Sequence, residues 1–241
     1  MRPFLLVSPR QRSPLAEVEL HDFLRATGLS LSDVQMMLIE SPEDYLPDLS
    51  DYAGVFVGGS PLNTTDAEHS EWHKHVDQQL GSLIDSPVPV LMLCYGMSSL
   101  AMSQGGATGH SHPEDSGPTE VRLTREGLED RIFRGVKPTF TALTGHTENV
   151  TELPDSAVLL ATGPTCPIQT VRYGDHVWAC QFHAEMDAQA MEKRMSFFRG
   201  YGYFDDSEFE AIVAALPSYD TSGPRQLMRN FVALSREEEA V

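Results

Sequence analysis

Apolar residues in the first hundred positions come in short solid runs separated by stretches of helical period. Phe4-Leu5-Leu6-Val7 opens the series as a buried strand. After Ser13-Pro14, a helix start with proline in its first turn, Leu15, Val18, Phe23 and Leu24 recur near helical spacing, and Gly28 can close the helix. Val34 to Ile39 is a second solid run, suited to a strand covered on both faces. Gly54-Val55-Phe56-Val57 is a third and ends in Gly58-Gly59-Ser60-Pro61. Trp72, Val76, Leu80 and Leu83 then share one helical stripe, and Val88 to Leu93 form a strand leading straight into Cys94. Repeated strand–helix units of this kind predict a parallel, doubly wound α/β sheet.

The pattern changes after Ala101. Residues 104–118 (QGGATGHSHPEDSGP) are rich in turn formers and predict an exposed loop. Short β-like pieces follow at 121–123, 139–141, 158–160, 168–171 and 177–182. Asp187 is placed to cap a helix carrying Met191, Met195 and Phe198. Ser207 with Glu210 reads as a capping box before Phe209, Ile212, Val213 and Leu216. A last helix holds Leu227, Met228, Phe231 and Val232, and the tail EEEAV is expected to fray. With no internal repeat or low-complexity linker, residues 1–241 are expected to form a single domain, with a core over about 1–200 and a helical extension over about 201–241.

Composition narrows the function. Thirty-five acidic residues against 17 basic ones give a formal net charge of -18, a surface that repels phosphate backbones and anionic lipid. Nucleic acid and membrane surfaces are therefore not expected partners. No apolar run approaches the roughly 20 residues of a membrane span, and the N-terminal apolar stretch is too short for a signal peptide. Three cysteines, an odd number, point to a reducing, cytoplasmic compartment in which a special cysteine is a nucleophile rather than a bridge.

Cys94 is the candidate. It stands at the carboxyl end of Val90-Leu91-Met92-Leu93, and an apparent helix containing Gly96, Ser98, Ser99 and Ala101 follows. Ligands of open α/β sheets bind outside the carboxyl ends of the strands, and a helix N-terminus favours a thiolate there. The competing interpretation is a small buried residue. Val177 to Glu185 reads as a strand ending in His-x-Glu, and alternation puts His183 and Glu185 on one side. Glu185 can then orient the imidazole, and His183 can deprotonate a nucleophile from a neighbouring strand. The backbone N–H groups of the Gly58-Gly59-Ser60-Pro61 turn can complete an oxyanion hole with the N–H of Tyr95; an ordinary βα turn is the plainer alternative.

Taken in order, the GGSP turn, the LCYGM elbow, the RLT and IFRGV segments, GHTENVTELP and RYGDHVWACQFHAE resemble the class I glutamine amidotransferases, especially stand-alone proteins similar to the amidotransferase domain of GMP synthase. The resemblance runs from about Val34 to about Phe198. It implies an open, mostly parallel, flavodoxin-like sheet with helices on both faces. It also implies a Cys94–His183–Glu185 triad that hydrolyses glutamine through a glutamyl thioester and releases ammonia, with Gly59 and Tyr95 supplying the oxyanion hole. His146 lies in a family-like stretch and is the implied binder near the substrate pocket. The chain departs from the family at four points: Met92 where Gly usually begins the elbow, Met97 where His is frequent, Ser98 where Gln shapes the pocket, and Ala184 where Pro is common.

These departures motivate a γ-glutamyl hydrolase or peptidase as the alternative enzyme. A non-catalytic regulatory protein of the same fold is the alternative outside catalysis. No Gly-x-x-x-x-Gly-Lys-Ser/Thr phosphate loop is present, so a synthetase or other ammonia acceptor is expected to be a separate partner. No cofactor and no metal are expected: His69, His73 and His75 lack an evident carboxylate or cysteine set and read as a solvated helix face, and His110 and His112 read as loop decoration.

Overall fold

The computed structural model describes residues 1–12, 14–200 and 204–239. Ser13, Tyr201, Gly202 and Tyr203 therefore lie outside the described residues, as does the end of the tail. In chain order the elements are β1 (Phe4–Ser8), α1 (Pro14–Thr27), β2 (Val34–Leu38), β3 (Val55–Val57), α2 (Glu71–Ser82), β4 (Val90–Leu93), α3 (Tyr95–Ser103), β5 (Ala107–Gly109), β6 (Glu114–Leu123) and α4 (Arg125–Glu129). They continue with β7 (Thr139–His146), β8 (Asn149–Glu152), β9 (Ala157–Thr162), β10 (Thr170–Tyr173), β11 (Val177–Cys180), α5 (Ala188–Phe197), α6 (Phe209–Ala215) and α7 (Ser222–Glu239).

One large sheet has the order β2-β1-β3-β4-β11-β10-β9-β6-β7, and β5 pairs with β8 in a small separate ribbon. From β2 to β11 every pairing is parallel, the arrangement expected from the strand–helix repeats. Beyond β11 the short β pieces continue the sheet as antiparallel neighbours.

Strand alternation builds two cores. Phe4, Leu6, Phe56, Leu91, Leu93, Trp178 and Cys180 face α1 and α7, whereas Leu5, Val7, Val55, Val57, Val90, Met92, Val177 and Ala179 face α2 and α3. On the first face Phe56 is surrounded by Phe231 at 4.8 Å, Phe23 at 5.4 Å and Phe4 at 5.6 Å between ring centroids. Phe231 is fully buried, so Phe231→Ala is expected to lower unfolding free energy by about 3–5 kcal/mol, measurable by urea denaturation.

Four local expectations are corrected. β2 is the sheet's edge and only half-buried, because an apolar run does not reveal which strand topology leaves unpartnered. The turn-rich stretch 104–118 is not a free loop: it supplies β5 and the start of β6, and Glu114 is buried. Asp205, not Ser207, caps the turn before α6. The glutamates of the tail belong to α7, where Glu239 accepts from the backbone N–H of Arg2 at 2.6 Å and pairs with Arg236.

Candidate active site

Cys94 connects β4 to α3 with φ 56° and ψ -105°, the one non-glycine residue at positive φ among those described. Such a conformation costs on the order of 1–3 kcal/mol and must be held in place. The hold is visible on both sides: Cys94 N donates to the Cys180 carbonyl at 2.7 Å, and Met97 N donates to the Cys94 carbonyl at 2.9 Å. Gly96 is required, since a Cβ there would come within 2.8 Å of the Met92 Cβ. Met92, where the family usually has Gly, is thus accommodated in the core against a glycine one turn later.

β11 ends one sheet position away and delivers His183, whose N–H donates to the Leu143 carbonyl at 2.9 Å. The His183 Nδ1 is 2.8 Å from Glu185 Oε1, and the Cys94 sulfur lies close enough to the imidazole to act on its charge. Burial opposes a charge on this ring, but the Glu185 carboxylate and then the Cys94 sulfur outweigh it and raise the His183 pKa to about 10. Burial likewise works against charge on Glu185; His183 and Arg194 outweigh it and hold this carboxyl below its ordinary range. The three side chains gather at the carboxyl ends of β4 and β11.

A buried charge network stands behind these side chains. Arg194 lies 3.6 Å from Glu185 and 3.9 Å from Glu19, and Arg10 pairs with Glu19 at 2.9 Å. Arg10 also donates to the Gly59 carbonyl at 2.6 Å, while Gly58 N donates to Val7. The glycines of this turn lie close to charged side chains: a Cβ on Gly58 would meet the Glu19 carboxylate at 2.6 Å and force a shift, and one on Gly59 would crowd His183 Cε1 at 3.0 Å. Gly59 and Tyr95 border the same cleft as Cys94, whereas Gly58 faces Glu19.

A cleft opens at these strand ends, bordered by Gly59, Cys94, Tyr95 and His183. Met186, Met191 and Met195 form an apolar flank. On the polar side, Ser98 Oγ, Thr144 Oγ1, Glu148 Oε1 and Gln181 Oε1 are buried without a hydrogen-bond partner among the described residues, and all four residues line the cleft. Buried polar atoms of this kind need a partner to offset their desolvation. His146 also lines the cleft, but its Nδ1 is engaged by the Glu148 carbonyl and its Nε2 by Glu114. Burial would raise the Glu114 pKa; donors from His146, Thr119, Thr165 and Gln169 bring it down to about 2.

Cys166 and Cys180 are fully buried, and burial pushes both thiols up to about 12. The histidine-rich helix differs from the solvated face expected: His73 and His75 are buried, His75 Nε2 bonds the Asp44 carbonyl at 2.8 Å, and Asp77 joins His69 and His73. His110 is exposed and bonds the Thr147 carbonyl. Sequence inspection missed Arg10, Glu19, Glu148 and Arg194. Only Arg10 had a usable signal, lying just beyond the carboxyl end of a strand.

Residues 19–200 match the family Glutamine amidotransferase class-I. GMP synthase [glutamine-hydrolyzing] of Serratia proteamaculans is 29% identical over 149 residues, covering 59% of this chain and 27% of that protein. The Hamiltonella defensa GMP synthase is 32% identical over 151 residues, 58% of this chain and 27% of that protein. The chain thus spans about a quarter of the length of these curated relatives. A Thermotoga maritima glutamine amidotransferase structure superposes with TM-score 0.77 at 18% identity over 98% of both chains, and one from Methylobacillus flagellatus with TM-score 0.71 at 17% identity over 97% of this chain and 95% of the other. With three quarters of its length matched by the family and its fold shared by solved members, the chain belongs to the class I glutamine amidotransferases.

Proposed function

We propose that the protein hydrolyses the side-chain amide of glutamine through a Cys94–His183–Glu185 triad and delivers ammonia to an acceptor enzyme. The observation that carries this is the strained Cys94 elbow, with Cys94 and His183 bordering one cleft and Glu185 hydrogen-bonded to the His183 ring. The Cys94 sulfur attacks the amide carbon, and the developing oxyanion is met by the N–H groups of Gly59 and Tyr95. Protonated His183 gives its proton to the leaving nitrogen as the C–N bond breaks, leaving a glutamyl thioester and ammonia. His183 then takes a proton from water, whose oxygen attacks the thioester; glutamate leaves and the sulfur is regenerated. Ser98, Thr144, Glu148 and Gln181 hold the substrate's polar groups, Glu148 as the counter-charge for its ammonium. His146, with both nitrogens engaged, keeps Glu114 and the Glu148 backbone in place.

On this account residues 1–241 act as one amidotransferase-like unit, which the packing of α7 on α1 and the sheet supports. The partner is a synthetase-type acceptor, by analogy with the GMP synthases. No described helix is long and apolar enough to cross a membrane.

A second substrate reading has support of its own. The methionine flank of the cleft is apolar, which suits a γ-glutamyl amide with a bulkier leaving amine. Amine release from glutamine and from γ-glutamyl dipeptides separates the two: a higher kcat/KM for glutamine supports the glutaminase, and a higher value for dipeptides supports the hydrolase. Iodoacetamide at neutral pH is expected to alkylate Cys94 at least about 100-fold faster than Cys166 or Cys180, which are buried and high in pKa. Peptide mapping measures this, and equal labelling of the three cysteines would count against an activated Cys94.

A further inference from the structure

A second cluster lies on α2, outside the cleft. His69 stands just before the N-cap Ser70; within α2 helical periodicity puts His73 and Asp77 on one face, and the His69 ring stacks on His73. His69 Nδ1 and His73 Nε2 each lie 3.6 Å from Asp77 Oδ2, and the three atoms are all within 4.8 Å of one another.

His73 is 2% exposed and its Nε2 has no hydrogen-bond partner among the described residues, so a buried nitrogen beside Asp77 is left unsatisfied there. The second oxygen of Asp77 accepts from Tyr95 O–H at 2.5 Å and Ser99 O–H at 2.7 Å, the outer support characteristic of a ligating carboxylate. Asp66 and Glu148 add negative charge around His73.

We propose that His69, His73 and Asp77 form a binding site for a divalent cation of the zinc type, with the remaining coordination position open to water. The two imidazoles are stacked 3.7 Å apart with nearly parallel planes, so ligation by both requires the partly exposed His69 ring to rotate on binding. The site connects to the nucleophile elbow through Asp77 and Tyr95.

The test uses tag-free, chelator-stripped protein carrying Cys94→Ser, which removes the cleft thiol as a competing ligand. Zn²⁺ is titrated by calorimetry and Co²⁺ by visible absorption. One equivalent is expected, with the d–d bands of a four-coordinate site and no thiolate charge-transfer band. His73→Ala should raise Kd by on the order of 100-fold or more, and Ser99→Ala by about 10-fold through loss of outer support. Because His73 is buried, His69→Gln at the partly exposed position serves as the second ligand variant, with the same large loss expected. Absence of saturable binding by the parent protein, or unchanged affinity in His69→Gln, overturns the proposal.

Discussion

Cys94→Ser should lower the rate of ammonia release by about four orders of magnitude or more, with the far-ultraviolet spectrum and thermal midpoint unchanged within error. Serine keeps the Cβ and fits the same φ 56° elbow, so the backbone bonds from Cys94 to Cys180 and Met97 survive. What is lost is a polarisable sulfur able to carry charge beside His183. A hydroxyl holds its proton far more tightly, and His183 loses one of the two partners that raise its pKa. Initial rates with glutamine and with the preferred γ-glutamyl amide check this. A serine variant within tenfold of the parent would remove the covalent mechanism.

The second large effect concerns the pair behind the sulfur. His183→Ala should cost about as much as Cys94→Ser, because the two act as one unit and their losses do not add. Glu185→Gln should cost less, roughly 10²–10⁴-fold, since an amide oxygen can still accept from Nδ1–H. Its signature is in the pH profile. In the parent, the imidazolium is retained up to a pKa of about 10, chiefly through the Glu185 carboxylate. Removing that charge also leaves Arg194, 3.6 Å away, facing the ring with less compensation. Both changes lower the histidine pKa, so the proton needed for the leaving nitrogen is lost sooner as pH rises. The alkaline limb of kcat/KM should therefore move from near 10 toward neutrality; an unmoved limb would place the controlling ionisation elsewhere.

The parts of the site legible in the sequence were those carried by one strand and the turn after it. Cys94 at the end of Val90–Leu93, His183 and Glu185 after Val177–Cys180, and Gly58-Gly59 after Val55–Val57 each announce themselves locally, and a parallel sheet brings the three tips together. The supporting charges did not, because their partners are remote: Arg10 meets the Gly59 carbonyl across 49 positions, and Arg194 reaches back to Glu19 from α5. Glu114 was hidden for a related reason. It sits among turn formers, yet donors from β7 and from the segments around Thr165 and Gln169 fix it inside the sheet's antiparallel half. Asp77 was overlooked beside His69 and His73 because the third ligand lies a further helical turn along, beyond the compact HSEWHKH segment. The edge position of β2 follows from strand order alone, which composition does not encode.

The central claim is tested most directly by reaction with a diazo-ketone analogue of glutamine, followed by peptide mapping. A stoichiometric thioether on Cys94, slowed by competing substrate and abolished in His183→Ala, is the predicted result. Modification spread over Cys94, Cys166 and Cys180, or a protein left unlabelled while it still releases ammonia from glutamine, would contradict it.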